Sequence, residues 1–123
     1  METTAVDEST VEKFITNSLR TLGKSPNKIA TNLIERGIKA KTIRPDSCAI
    51  TLFVLEELAS LTNYGEKFKV ITEIQSTIIR KSDDNWCAVV SHTDAIKKFI
   101  ERFDNGEYPL LDKDVTILEE RPY

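Results

Sequence analysis

The sequence predicts an α+β fold: three N-terminal helices, a small antiparallel β-meander at about residues 67–90, then one C-terminal helix and an irregular tail. Two observations carry this prediction. Apolar residues recur at the helical spacing of three and four positions in the first half of the chain and again after the meander. Between these segments the pattern changes to alternation and β-branched runs, separated by turn residues.

The first helix is predicted to begin at Ser9, with Glu12 completing a capping box and Gly23 ending the helix. The second is predicted to begin at Ser25-Pro26, because serine is a preferred N-cap and proline fits the first helical position. Gly37 and Ile38 have the pattern of a Schellman-type end.

The third helix is predicted over about residues 46–62, opened by Pro45-Asp46-Ser47. Its apolar positions are too many for a surface helix, so we expect it to be central. The last helix is expected to use Ser91 as its N-cap, with Asp94 as the capping-box carboxylate, and to end at Gly106.

The meander rests on three short runs, at 68–72, 77–79 and 86–90. Neither glycine nor proline separates the first two runs, so their boundary near Glu73–Ser76 is open. A continuous helix over 66–81 is the alternative.

Composition indicates one ordinary globular domain over residues 1–123, with a frayed segment at 1–6 and a polar tail at 112–123. The chain has 123 residues, 40% of them hydrophobic, and a formal charge of −3. These values exclude collagen-like, low-complexity and disulfide-scaffold chains. The absence of a signal or transit pattern and of a membrane-spanning stretch leads us to expect a cytoplasmic protein without a membrane partner.

The modest net charge conceals a basic block. Residues 1–19 carry a net −3, whereas residues 20–44 carry a net +6 from seven bases and one acid. Three interpretations stay open: solvated surface, a docking patch for a protein, or phosphate contacts of a degenerate helix-turn-helix. Pro45 opposes the last, because it would interrupt a recognition helix beginning near Ala40. The candidate binding residues are Arg20, Lys24, Lys28, Arg36, Lys39, Lys41 and Arg44.

Catalytic and metal chemistry have weaker support. Cys87, His92 and Asp94 could form a nucleophile, base and orienter, but helix capping explains the same residues. Cys48 and Cys87 are expected to be free, buried thiols. With His92 they supply only three soft ligands, so we expect no metal site. The sequence contains no nucleotide-binding motif, and we expect no cofactor and no catalytic residue.

Three aromatic residues are candidate interface anchors, because large aromatics are enriched at the centres of protein interfaces. They are Tyr64, Trp86 and Tyr108.

Three segments carry a resemblance. They are Ile29-Ala30-x-x-Leu33-x-x-x-Gly37-Ile38, then Ser47-Cys48-Ala49-Ile50, then Ala95-Ile96-x-x-Phe99-Ile100-x-x-Phe103-Asp104-x-Gly106-x-Tyr108-Pro109. Their order over about two thirds of the chain resembles small uncharacterised bacterial proteins with a Cys-bearing central helix. Ala49 stands where that pattern has proline. The resemblance implies an α+β fold and no activity.

These observations favour a small non-enzymatic accessory or regulatory protein that acts through protein–protein contacts, with another protein or a second copy as its partner. The alternative is a nucleic-acid-binding regulator that uses the basic block. A cysteine-dependent enzyme is the third and weakest hypothesis, because no positioned base is visible.

Overall fold

The computed structural model describes residues 7–40, 48–62, 68–81 and 87–111. These residues confirm the predicted α+β fold, with three helices followed by a three-stranded sheet and a further helix. In chain order the elements are α1 (Glu8–Thr21), α2 (Pro26–Glu35), α3 (Ala49–Leu61), β1 (Phe68–Thr72), β2 (Ser76–Lys81), β3 (Cys87–Ser91), α4 (Asp94–Asp104) and a 3₁₀ turn (Pro109–Leu111).

Helix α1 begins earlier than predicted. Asp7, not Ser9, is the N-cap, and its Oδ1 atom accepts a hydrogen bond of 2.7 Å from the Thr10 backbone N–H. This bond lowers the pKa of the Asp7 carboxyl. A carboxylate also interacts favourably with the positive end of the helix dipole, which explains why Asp7 displaces Ser9.

Helix α2 has the predicted ends. Ser25 accepts a hydrogen bond from the Lys28 N–H, and Pro26 is the first helical residue. At the other end Gly37 has φ +76°, and Ile38 N–H bonds back to the Leu33 carbonyl at 3.2 Å. This pair of features is the predicted Schellman end.

Helix α3 is central, as predicted, but begins at Ala49. Cys48 has extended backbone angles and occupies the N-cap position without a side-chain capping bond. The predicted opening at Pro45-Asp46-Ser47 lies outside the described residues. Six residues of α3 have no exposed surface, and the five apolar ones anchor the core: Ala49, Ile50, Phe53, Val54 and Leu58, with Thr51 the sixth.

The predicted meander is confirmed, and the alternative helix over 66–81 is wrong. β1 and β2 pair antiparallel with Ile71 opposite Ile78, and β2 and β3 pair antiparallel with Ile78 opposite Val89. The turn between β1 and β2 occupies residues 73–75. It is tightened by a hydrogen bond from the Glu73 N–H to the Ser76 carbonyl.

One face of the sheet covers the core. Its inward side chains are buried against α1 and α3, and α2 packs on α4. The inward positions follow strand alternation: Val70, Thr72, Thr77, Ile79, Ala88 and Val90. No helix of the described segments is long and apolar enough to cross a membrane.

The cap of α4 differs from the prediction. Thr93, not Ser91, is the N-cap and accepts a hydrogen bond from the Ile96 N–H. Ser91 ends β3, and the His92 N–H still bonds to the Gln75 carbonyl at 2.9 Å. Strand-type pairing therefore holds the chain as far as His92, and Thr93 is the first residue free to cap the helix.

Candidate functional site

The structure separates the residues of the basic block into two groups, and Arg36 belongs to the group with structural partners. Its guanidinium nitrogens lie 3.3 Å from a Glu56 oxygen and 3.4 Å from a Glu57 oxygen, both carboxylates being on α3. The guanidinium carbon lies 4.7 Å from the centre of the Phe53 ring. Arg36 thus joins α2 to α3 and covers a core aromatic ring.

Lys39 has a similar structural role. Its Nζ atom donates a hydrogen bond of 2.6 Å to the Leu110 carbonyl, and the neighbouring Ala40 N–H donates one of 2.7 Å to the Leu111 carbonyl. These bonds fasten the segment after α2 to the turn after α4. Lys41 and Arg44 lie outside the described residues.

The second group forms an exposed cationic surface at the turn between α1 and α2. We define it as Arg20, Lys24 and Lys28, which are all exposed. None of the three forms an ion pair with a carboxylate of the described segments. Their charges therefore face solvent without a carboxylate partner among the described residues.

Gly23 lies in the turn between α1 and α2, the part of the chain that carries these cations. It has φ +141°, a conformation that residues with a Cβ rarely adopt. A Cβ atom placed on it would lie 2.7 Å from Cγ of Lys28. The sharp turn thus brings Lys28, at the start of α2, against the chain that leaves α1.

A shallow cleft of about 350 Å³ adjoins the cationic surface. Its walls are mostly apolar and come from two segments: Arg20, Gly23 and Lys24 at the α1–α2 turn, and Thr93 and Ala95 at the start of α4. An apolar recess bordered by cations can take a side chain of a partner whose flanking residues are acidic.

His92 is a structural residue. It is 6% exposed, its Nδ1 atom lies 2.9 Å from the Ile74 carbonyl oxygen, and its Nε2 atom lies 2.7 Å from the Thr77 hydroxyl. A carbonyl only accepts, so Nδ1 carries the proton and Nε2 accepts from Thr77. Burial lowers the pKa of the imidazole, the bond to Ile74 opposes this, and the nearby charge of Lys97 lowers it further.

The two cysteines do not pair with His92. Cys87 lies on the outer face of β3, whereas His92 continues the inward series of Ala88 and Val90. Cys48 is 3% exposed, and burial raises the pKa of its thiol to about 11. Across the described part of the chain, no three potential metal ligands are grouped together.

Tyr108 lies in the core and does not form the exposed anchor that the sequence suggested. It is 2% exposed, its ring stacks on Phe99 with centres 5.3 Å apart, and its hydroxyl lies 2.9 Å from Oδ1 of Asn27. It therefore links α2 and α4. Tyr64 and Trp86 lie outside the described residues.

Sequence reasoning missed one surface, the outer face of the sheet. Val89 is 50% exposed, and Ile71 and Ile78 lie beside it in register. The signal was present, because both alternating sets of positions in these strands contain apolar residues.

Comparison of the chain with protein-family models, with curated proteins and with solved structures gives no match. The resemblance to small bacterial proteins therefore stays a prediction. The fold and site define a small α+β protein with an apolar cleft beside a cationic surface that forms no ion pair with the described residues.

Proposed function

We propose that this protein is a non-enzymatic accessory or regulatory protein of the cytoplasm, which binds an acidic segment of a partner protein. One observation carries the proposal: Arg20, Lys24 and Lys28 are exposed and have no carboxylate partner in the described segments, and Arg20 and Lys24 line the cleft at the start of α4. Acidic residues of the partner would pair with these cations, and an apolar side chain would enter the cleft.

The division of the basic block supports this assignment. Arg36 and Lys39 hold elements of the fold together, whereas the three cations at the α1–α2 turn form no hydrogen bond through their side chains to another described residue. Retaining exposed, unpaired charge of one sign in one place favours association with a partner of the opposite sign.

A protein partner is favoured over nucleic acid by the surroundings of the same cations. In a helix-turn-helix the helix after α2 would be the reading helix. Here α3 follows, and its first residues, Ala49, Ile50 and Thr51, have no exposed surface. Ala40 lies in an extended bridge to the 3₁₀ turn. The described segments thus present no second helix that could enter a groove.

The test compares capture of binding partners by the wild-type chain and by the triple variant Arg20→Glu/Lys24→Glu/Lys28→Glu. We expect the variant to lose a partner that contains an acidic segment, and a synthetic peptide of that segment to bind the wild type with an affinity that falls as salt rises. Lys98→Glu is the matched control, because this residue is exposed and does not line the cleft.

Two outcomes would contradict the proposal. If the triple variant keeps every partner while its melting temperature is unchanged, the cationic surface is not the docking site. If the wild type instead shifts duplex or single-stranded probes at about 50 mM salt, and the triple variant does not, the nucleic-acid alternative replaces the protein partner.

A further inference from the structure

We infer that the outer face of the sheet is a self-complementary surface on which a second copy of this chain docks. This inference is independent of the proposed function, because the outer face of the sheet is apolar at its centre and contains none of Arg20, Lys24 and Lys28. It begins with an apolar row across the three strands. Ile71 of β1 is in register with Ile78 of β2, which is in register with Val89 of β3.

This row is accessible. Val89 is 50% exposed, and Ile71 and Ile78 are partly exposed, whereas the neighbours of each along its strand are buried on the inner face. Adjacent Ile74, in the turn between β1 and β2, is 43% exposed. Contiguous exposed apolar surface is enriched at protein interaction sites, so this row is a candidate contact surface.

The charges on either side of the row identify the occupant. Ile71 stands midway along the chain between Lys69, on β1, and Glu73, the first residue of the turn after β1. Both are exposed and without an ion pair in the described segments. Arg80 extends the positive side, since it is in register with Lys69. The face is therefore positive at one end of β1, apolar at the centre and negative at the other end.

With a twofold axis along the apolar row, the positive end of the face in one copy lies opposite the negative end in the other copy. Such an axis places Ile71, Ile78 and Val89 of one copy over the same residues of the other and reverses the strand direction. Lys69 of each copy then faces Glu73 of the other. Sheets pack face to face at about 10 Å, a separation that lysine and glutamate side chains can bridge at the edge. An isologous interface requires this self-complementarity.

The area of this face limits how tightly two copies are expected to bind. Three strands of about five residues cover roughly 14 by 17 Å, which is well below the ~800 Å² per partner of a standard interface. We therefore expect a weak dimer, with a dissociation constant between about 10 µM and 1 mM.

The experiment is sedimentation equilibrium of the full chain over concentrations from about 10 µM to 1 mM. We expect the wild-type mass to rise from 14.0 kDa towards twice that value. Val89→Glu should keep the mass monomeric at every concentration, because the twofold axis would place the two introduced carboxylates opposite one another. Lys98→Glu, on exposed α4, is the matched control and should associate like the wild type.

A charge swap tests the twofold geometry itself. Lys69→Glu and Glu73→Lys should each weaken association by at least about tenfold, because each places like charges opposite one another. The double variant Lys69→Glu/Glu73→Lys should restore it. A wild-type chain that stays monomeric at about 1 mM, or a double variant no better than the singles, would overturn the inference.

Discussion

His92 lies within the core with its Nε2 atom 2.7 Å from the Thr77 hydroxyl and its Nδ1 atom 2.9 Å from the Ile74 carbonyl oxygen. These two bonds fasten the turn between β1 and β2 to the residue that leads from β3 into α4. The only histidine of the chain is therefore a neutral connector within the sheet.

We expect stability to fall as the pH is lowered through the range in which a free imidazole titrates. The folded pKa of His92 lies below the usual value near 6.5, so the unfolded chain takes up the proton first. Proton uptake by the unfolded state lowers the free energy of unfolding between that value and the folded pKa, and the loss is complete below the folded pKa. Urea unfolding at about pH 7.5 and 5.5 measures the effect.

The control for this prediction is His92→Gln, which keeps polar atoms at the site but does not titrate. Its free energy of unfolding is expected to change less than that of the wild type between the same two pH values. An equal change in the two proteins would show that other groups produce the pH dependence.

The buried hydroxyl pair between α3 and β1 gives a second prediction. Thr51 Oγ1 lies 2.7 Å from Thr72 Oγ1, and both residues are buried. Thr51→Val leaves the Thr72 hydroxyl without this partner, and we expect a loss of about 1–3 kcal/mol. The double variant Thr51→Val/Thr72→Val should lose less than the sum of the two single losses, as measured by urea unfolding. Additive losses would contradict coupling between the two hydroxyls.

Thiol reactivity tests the different positions of the two cysteines. Cys48 is buried and its pKa is raised to about 11, so little thiolate forms near neutral pH. Cys87 is half-buried on the outer face of the sheet. A thiol reagent is expected to label Cys87 in the folded protein, and Cys48 only after denaturation. Cys87→Ser should abolish the native reaction, and rapid labelling of Cys48 in that variant would contradict its burial.

A fourth prediction concerns the turn that carries the cationic surface. Gly23 has a φ of +141°, which is unfavourable for alanine. Gly23→Ala would also place a Cβ atom 2.7 Å from Cγ of Lys28. We expect a loss of about 1–3 kcal/mol in the free energy of unfolding. Gly37→Ala is the control, since its φ is +76° but no atom lies within 4 Å of the added Cβ. A smaller loss in the control would report the Lys28 contact together with the more restrictive φ of Gly23, and equal losses would show that neither adds a cost.

Local rules predicted most of the element boundaries, because caps and glycine ends act within one turn of the chain. Ser25 caps α2, and Gly37 ends it, as expected. The two capping errors have different causes, one local and one tertiary. Asp7 precedes Ser9 as a better electrostatic cap, and strand pairing of the His92 backbone excludes Ser91 from capping α4.

The site was less predictable than the fold, because charge counts do not show which cations have partners. The sequence identified the block that contains Arg20, Lys24 and Lys28. Only the fold shows that Arg36 reaches the carboxylates of α3 and that Lys39 reaches Leu110. Those contacts join residues far apart in the chain, and no spacing rule reports them.

The sequence by itself determined the α+β order, the central position of α3 and the location of the basic block, since periodicity and capping are local properties. The tertiary structure decided which residues are available to a partner. It placed Tyr108 and His92 inside the core, left three cations unpaired among the described residues, and aligned Ile71, Ile78 and Val89 on the outer face of the sheet. Availability depends on which distant segments pack against one another, and that is settled only when the whole core forms.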